Sequence, residues 1–162
     1  MKFKIILLLS FFLSAVYENY AQTSDAEADA VINLLGVQKR EAVSKLVPVT
    51  GKDSVAFWKI YDEYAQKNRQ NAKDRLALYE GTARSYSNMN PAIADSLAHK
   101  YFINRADQEK TLEEYYGKIK AATNAVTAFE FYQAEVYILT QLRASIMQQI
   151  PTYGQLMSNS KK

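Results

Sequence analysis

One histidine and no cysteine restrict the chemistry open to this chain of 162 residues. Asp95 and His99 stand four apart, on one face of any helix that carries them. A stable zinc centre needs more nitrogen or sulfur donors than the chain owns, so the pair reads as a solvent-facing contact that strengthens when the imidazole is protonated. Carboxylates are plentiful, among them Asp62, Glu63, Glu109, Glu113, Glu114, Glu130 and Glu135. General acid–base work needs two of them converging in a closed pocket, whereas these are interleaved with Lys and Arg at ordinary surface spacing. Glu109 and Glu113 are like-charged neighbours, and Glu114 with Lys118 forms a favourable i, i+4 pair. There is no Ser-His-Asp set with a nucleophile elbow, no phosphate loop and no dinucleotide fingerprint. The expectation is a protein that is not an enzyme and uses neither cofactor nor metal.

Aromatic rings are the other chemical resource. The stretch "FWKIYDEYAQKNRQNAKDRLALYE" (57–80) holds Phe57, Trp58, Tyr61, Tyr64 and Tyr79 with no Gly or Pro. Trp58, Tyr61, Ala65, Asn68, Ala72, Arg75 and Tyr79 follow 3-4 spacing and are expected to face neighbouring helices, with Phe57, Tyr64 and Leu78 to the side. Tyr tolerates half-burial because its ring packs while its hydroxyl stays wet. Phe57, Trp58, Tyr61, Tyr64, Tyr86 and Tyr101 form the expected set of helix staples and exposed binding rings.

These side chains must be carried by helices, because no strand alternation occurs anywhere. "SDAE" (24–27) has capping-box form and opens a first helix that ends near Pro48, with Gly36 as an interruption. Thr50 and Asp53 mark the start of a second, running to about Tyr86 as one rod. Asn90 followed by Pro91 starts a third that reaches about Lys120, and Asn124 caps a fourth that stops at Pro151. On the fourth, Phe129, Val136, Arg143 and Ile150 repeat every seven residues, with Tyr132, Leu139 and Ile146 three later, as in a heptad seam. Arg143 on that seam needs a carboxylate or carbonyls to meet it, and Glu135 is the expected complement of Arg75 or Arg105. The predicted class is all-α, with four helices, two of them long, in an elongated antiparallel hairpin or cradle.

The first residues, "MKFKIILLLSFFLSAVYENYAQ", place Lys2 and Lys4 before an apolar run from Ile5 to Val16. That run is about twelve residues where a spanning helix needs roughly 20, so 1–21 reads as a cleaved export signal. Asn19 is large for its place before the cut at Ala21, and retention as an anchor is the alternative. Losing Lys2, Lys4 and Glu18 lowers the formal charge from +3 to +2, which is no nucleic-acid footprint. Residues 22–151 then form one domain, followed by a flexible tail, 152–162, and no membrane span remains after signal removal. Without cysteines an exported chain has no disulfides, so burial and helix propensity must hold it together.

"VPVTGKDSVA" (47–56) with "FWKIYDEYAQ" (57–66), and "FYQAEVYILTQLRASIMQQIP" (131–151), resemble the helical periplasmic proteins of the Spy/CpxP group, in the branch common among Bacteroidota. The resemblance covers roughly Lys39 to Pro151. The group's Leu-Thr-x-x-Gln signature corresponds to Val49-Thr50-Gly51-Lys52-Asp53, which keeps the Thr and lacks the Gln. The resemblance implies a small periplasmic, often dimeric, ATP-independent chaperone whose concave side holds unfolded or partly folded clients. A regulatory adaptor that contacts one envelope sensor ectodomain is the alternative. Metal-responsive members use His or Cys residues that this chain lacks.

Overall fold

A computed structural model describes residues 25–147. The expected signal, 1–21, and the tail, 152–162, lie outside the described residues. Five α-helices follow one another: α1 (Asp25–Leu46), α2 (Gly51–Lys67), α3 (Arg69–Ser85), α4 (Pro91–Ala122) and α5 (Ala125–Met147). A 3₁₀ turn at Tyr86–Asn88 joins α3 to α4, and no strand occurs among the described residues. The chain is all-α.

Local chemistry explains most boundaries. Asn90 Oδ1 accepts from the Ile93 N–H at 3.0 Å while Pro91 occupies the first turn, so α4 starts where its cap is best. Asn124 Oδ1 accepts from both Val126 N–H and Thr127 N–H, which leaves only Thr123 and Asn124 between α4 and α5. Thr50 stands at the N-cap of α2 without a side-chain cap bond. Gly51 there has φ +62°, a left-handed conformation that Gly adopts without steric penalty. Gly36 does not interrupt α1; a Cβ placed on it would meet nothing within 4 Å.

The rod expected from 50 to 86 is divided. Asn68 is the single residue between α2 and α3, and it still donates its N–H to Tyr64 O at 2.9 Å. Asn is a weak helix former whose amide competes with the backbone. Its Oδ1 is buried and meets no donor among the described residues. The helix count among the described residues is therefore five where four were expected.

Pairings set the packing. Tyr64 meets Tyr115, Asn71 meets Asn104 and Thr82 meets Tyr101, so α2 with α3 runs antiparallel to α4. Helix α1 packs on α5 and α3, and α5 returns along the C-terminal half of α4. The core lies where these meet: Val43, Val47, Phe57, Tyr61, Tyr64, Leu112, Tyr115, Ile119, Ala128, Phe131 and Ala134. Each fully buried ring contributes roughly 1.5–3 kcal/mol, which is how a chain without cysteines closes its interior.

Candidate binding surface

The buried stripe of α2 is Phe57, Tyr61 and Tyr64, continued by Asn68. This stripe keeps Tyr61 and Asn68 of the expected one and takes Phe57 and Tyr64 in place of Trp58 and Ala65. Spacing alone admits both, and the structure encloses Phe57 and Tyr64 while leaving Trp58 half-buried and Ala65 exposed. Phe131 of α5 stands edge-on to all three, with centroids 5.2 Å from Tyr64, 6.3 Å from Tyr61 and 6.4 Å from Phe57. Phe57, Tyr61 and Tyr64 are therefore interior residues that staple the helices and present no surface to a client.

The remaining members of the expected set are partly buried. Trp58 lies under the Arg40 guanidinium at 4.2 Å, and Arg40 also holds Asp62 through two hydrogen bonds. Tyr101 packs at a tilt against Tyr79 at 5.9 Å, shares a 2.8 Å hydrogen bond with Thr82 and donates to Leu78 O. Tyr86 sits in the 3₁₀ turn, partly covered.

Beneath the rings lies a polar relay. Glu135 is fully buried, and its Oε2 pairs with Lys39 Nζ at 2.5 Å and accepts from the Tyr64 hydroxyl at 2.6 Å. Gln108 donates to the Tyr64 hydroxyl, and its own oxygen accepts from Arg75. Burial, reinforced by the Glu135 charge, pushes the Tyr61 and Tyr64 hydroxyls well above the usual phenol range. Such hydroxyls stay protonated and donate hydrogen bonds; they are poor nucleophiles. Burial lowers Arg75, which also feels the positive Arg143. The direct ion-pair partner of Glu135 is thus Lys39 of α1; Arg75 feels the Glu135 charge without bonding it. Arg143 forms no ion pair among the described residues. Asp95 and His99 are exposed, and no group of three potential metal ligands occurs among the described residues.

Exposed apolar side chains occur on several helices, Val37 on α1, Val55 on α2 and Phe102 on α4 among them. On α5, Val126 (67 % exposed), Phe129 (54 %) and Tyr137 (49 %) follow helical spacing along one outward face. The buried face of α5 is Thr127, Ala128, Phe131, Ala134, Glu135 and Ile146, so most of the expected heptad seam runs along its flank. Between α4 and α5 an open groove of about 420 Å³ is lined by Glu109, Glu113, Tyr116, Phe129 and Tyr132. Phe129 and Tyr132 lie stacked there at 6.4 Å. Sequence reasoning did not assemble this groove. The available signal was Glu109, Glu113 and Tyr116 at i, i+4 and i+7, which brings two acids and a ring onto one stripe.

The chain matches no protein-family model, no curated protein and no solved structure. Among the described residues, no helix is long and apolar enough to cross a membrane.

Proposed function

We propose that the protein is a non-enzymatic, ATP-independent client-binding protein of the periplasm, of the Spy/CpxP kind, protecting unfolded or partly folded chains under envelope stress. Its contact surface is the outward face of α5 with the adjoining part of α4, in place of the rings of Phe57, Trp58, Tyr61, Tyr64, Tyr86 and Tyr101. One observation carries this reading: Val126, Phe129 and Tyr137 leave an apolar stripe open on a helix whose opposite face is already packed. A more-than-half-exposed Phe and a half-exposed Tyr about 12 Å further along the same helix give weak apolar contact without deep burial, which suits capture and spontaneous release. The periplasmic location rests on the export signal read at 1–21. An elongated cradle of the five helices belongs to the same proposal.

The test is light scattering from several unrelated unfolded proteins mixed with this protein at near-stoichiometric ratio. The intact protein suppresses aggregation, and Phe129→Ser with Tyr137→Ser loses most of that effect while keeping its helical signal. Protection of none of the clients, together with one tight specific partner, would overturn the chaperone reading in favour of the adaptor.

A further inference from the structure

Three times among the described residues a cationic side chain is held between a ring and a carboxylate. Arg40 lies 4.2 Å from the Trp58 ring centre and bonds Asp62. Lys39 lies 5.1 Å from Tyr64 and pairs with Glu135. Lys118 lies 4.1 Å from Tyr115 and pairs with Glu114. The α4–α5 groove has the same two ingredients, with three rings, Tyr116, Phe129 and Tyr132, beside two carboxylates, Glu109 and Glu113. No Lys or Arg is among its lining residues, and neither carboxylate forms an ion pair among the described residues.

Ring faces are electron-rich and attract a cation within about 6 Å, and carboxylates accept charge-assisted hydrogen bonds from its N–H groups. Two like charges one turn apart on α4 repel each other, and an arriving cation relieves that repulsion. We propose that the groove takes the arginine or lysine side chain of a basic polypeptide segment, its charged end against Phe129 and Tyr132 and its N–H groups donating to Glu109 and Glu113. This rests on the reading of the α4–α5 face as the client surface and gives it a selectivity: basic extended segments bind ahead of acidic ones. The open groove admits a side chain from a passing chain without any movement of the helices.

The test is fluorescence anisotropy with three labelled peptides in one Gly-Ser background, bearing arginine, lysine or citrulline, the neutral isostere of arginine. The arginine and lysine peptides bind, and the citrulline peptide binds about tenfold more weakly. Glu109→Gln with Glu113→Gln weakens arginine binding about tenfold and flattens its salt dependence, while Glu63→Gln on α2 changes nothing. Equal affinity for citrulline, or an unchanged salt slope in the double variant, overturns the proposal. Should the double variant lose helical signal, the wild-type Phe129 and Tyr132 ring resonances decide: shifts with arginine but not citrulline support the site, and no shift overturns it. Client protection that survives in the double variant, with no arginine selectivity, sinks the groove and leaves the chaperone reading standing. Arginine selectivity in a protein that protects no client does the reverse.

Discussion

The two halves of α4 belong to one uninterrupted helix but are held by different forces. Its C-terminal half buries Gln108, Leu112, Tyr115 and Ile119 against α2 and α5. Its N-terminal half buries nothing, and none of the residues from Glu80 to Asp107 is buried. There the contact with α3 rests on one tilted ring pair, Tyr79 with Tyr101, and otherwise on amides and hydroxyls. Asn71 Nδ2 donates to Asn104 O at 2.9 Å, Asn104 Nδ2 returns to Asn71 O at 3.0 Å, and Tyr101 reaches Thr82. Where several helices converge, rings can be enclosed on every side and burial supplies the free energy. Where the apolar surface stays wet, directional hydrogen bonds fix the register, and each contributes only about 1 kcal/mol. Register and stability are separable properties, and this helix carries one at each end.

The sharpest way to break the contrast is to cut a side chain from each half. Phe131→Ala, facing the ring core, is expected to lose about 3–5 kcal/mol in urea unfolding, and Leu97→Ala, on the wet half, less than about 1.5 kcal/mol. Equal losses would erase the distinction. Next comes the charge inside the core. Lys39→Met strands Glu135 and is expected to lose about 3 kcal/mol, while Lys39→Met with Glu135→Leu recovers most of it. A double variant as unstable as the single would mean that the carboxylate contributes through something other than its pairing. Tyr101→Phe removes the hydroxyl contacts of the wet half and is expected to lose about 1 kcal/mol. It should also speed amide exchange from Glu80 to Asp107 without touching Leu112 or Ile119. Gly36→Ala has open space around it and should gain up to about 1 kcal/mol from helix propensity alone.

The smallest effect is a pH dependence. Hydrogen bonds from Lys67 and Lys118 hold the Glu114 carboxyl down at about 2. The folded value lies below the unfolded one, so this stabilisation is complete above about pH 4.5 and is lost as the pH falls toward 2. The site is exposed, so high salt should shrink the slope, and Glu114→Gln should flatten that part of the melting-temperature profile.

The helix starts at Asn90 and Asn124 were legible because a cap is a local event, decided by residues two or three apart. The i, i+4 pair Glu114–Lys118 was legible for the same reason. The ring stripe was not: 57-61-64 and 58-61-65 satisfy the same periodicity, and only contact with Phe131 and Tyr115 selects between them. Likewise nothing in the spacing pairs Lys39 with Glu135, because the two meet only after α1 has docked on α5. The heptad repeat on α5 exists as a pattern, but the interface follows Phe131 and the small residues Thr127, Ala128 and Ala134 that let the helices approach. For the candidate surface, exposure is a remainder left after packing, so it could not be read until the packing was known.

The Lys39–Glu135 bridge joins the first described helix to the last. Its two ends emerge from the ribosome far apart in time, so the ammonium must wait for nearly the whole remaining chain before its counter-ion exists. Contacts of such high sequence separation make folding slow, and a nascent chain halted before α5 would expose the Phe57, Tyr61 and Tyr64 rings for as long as it waits.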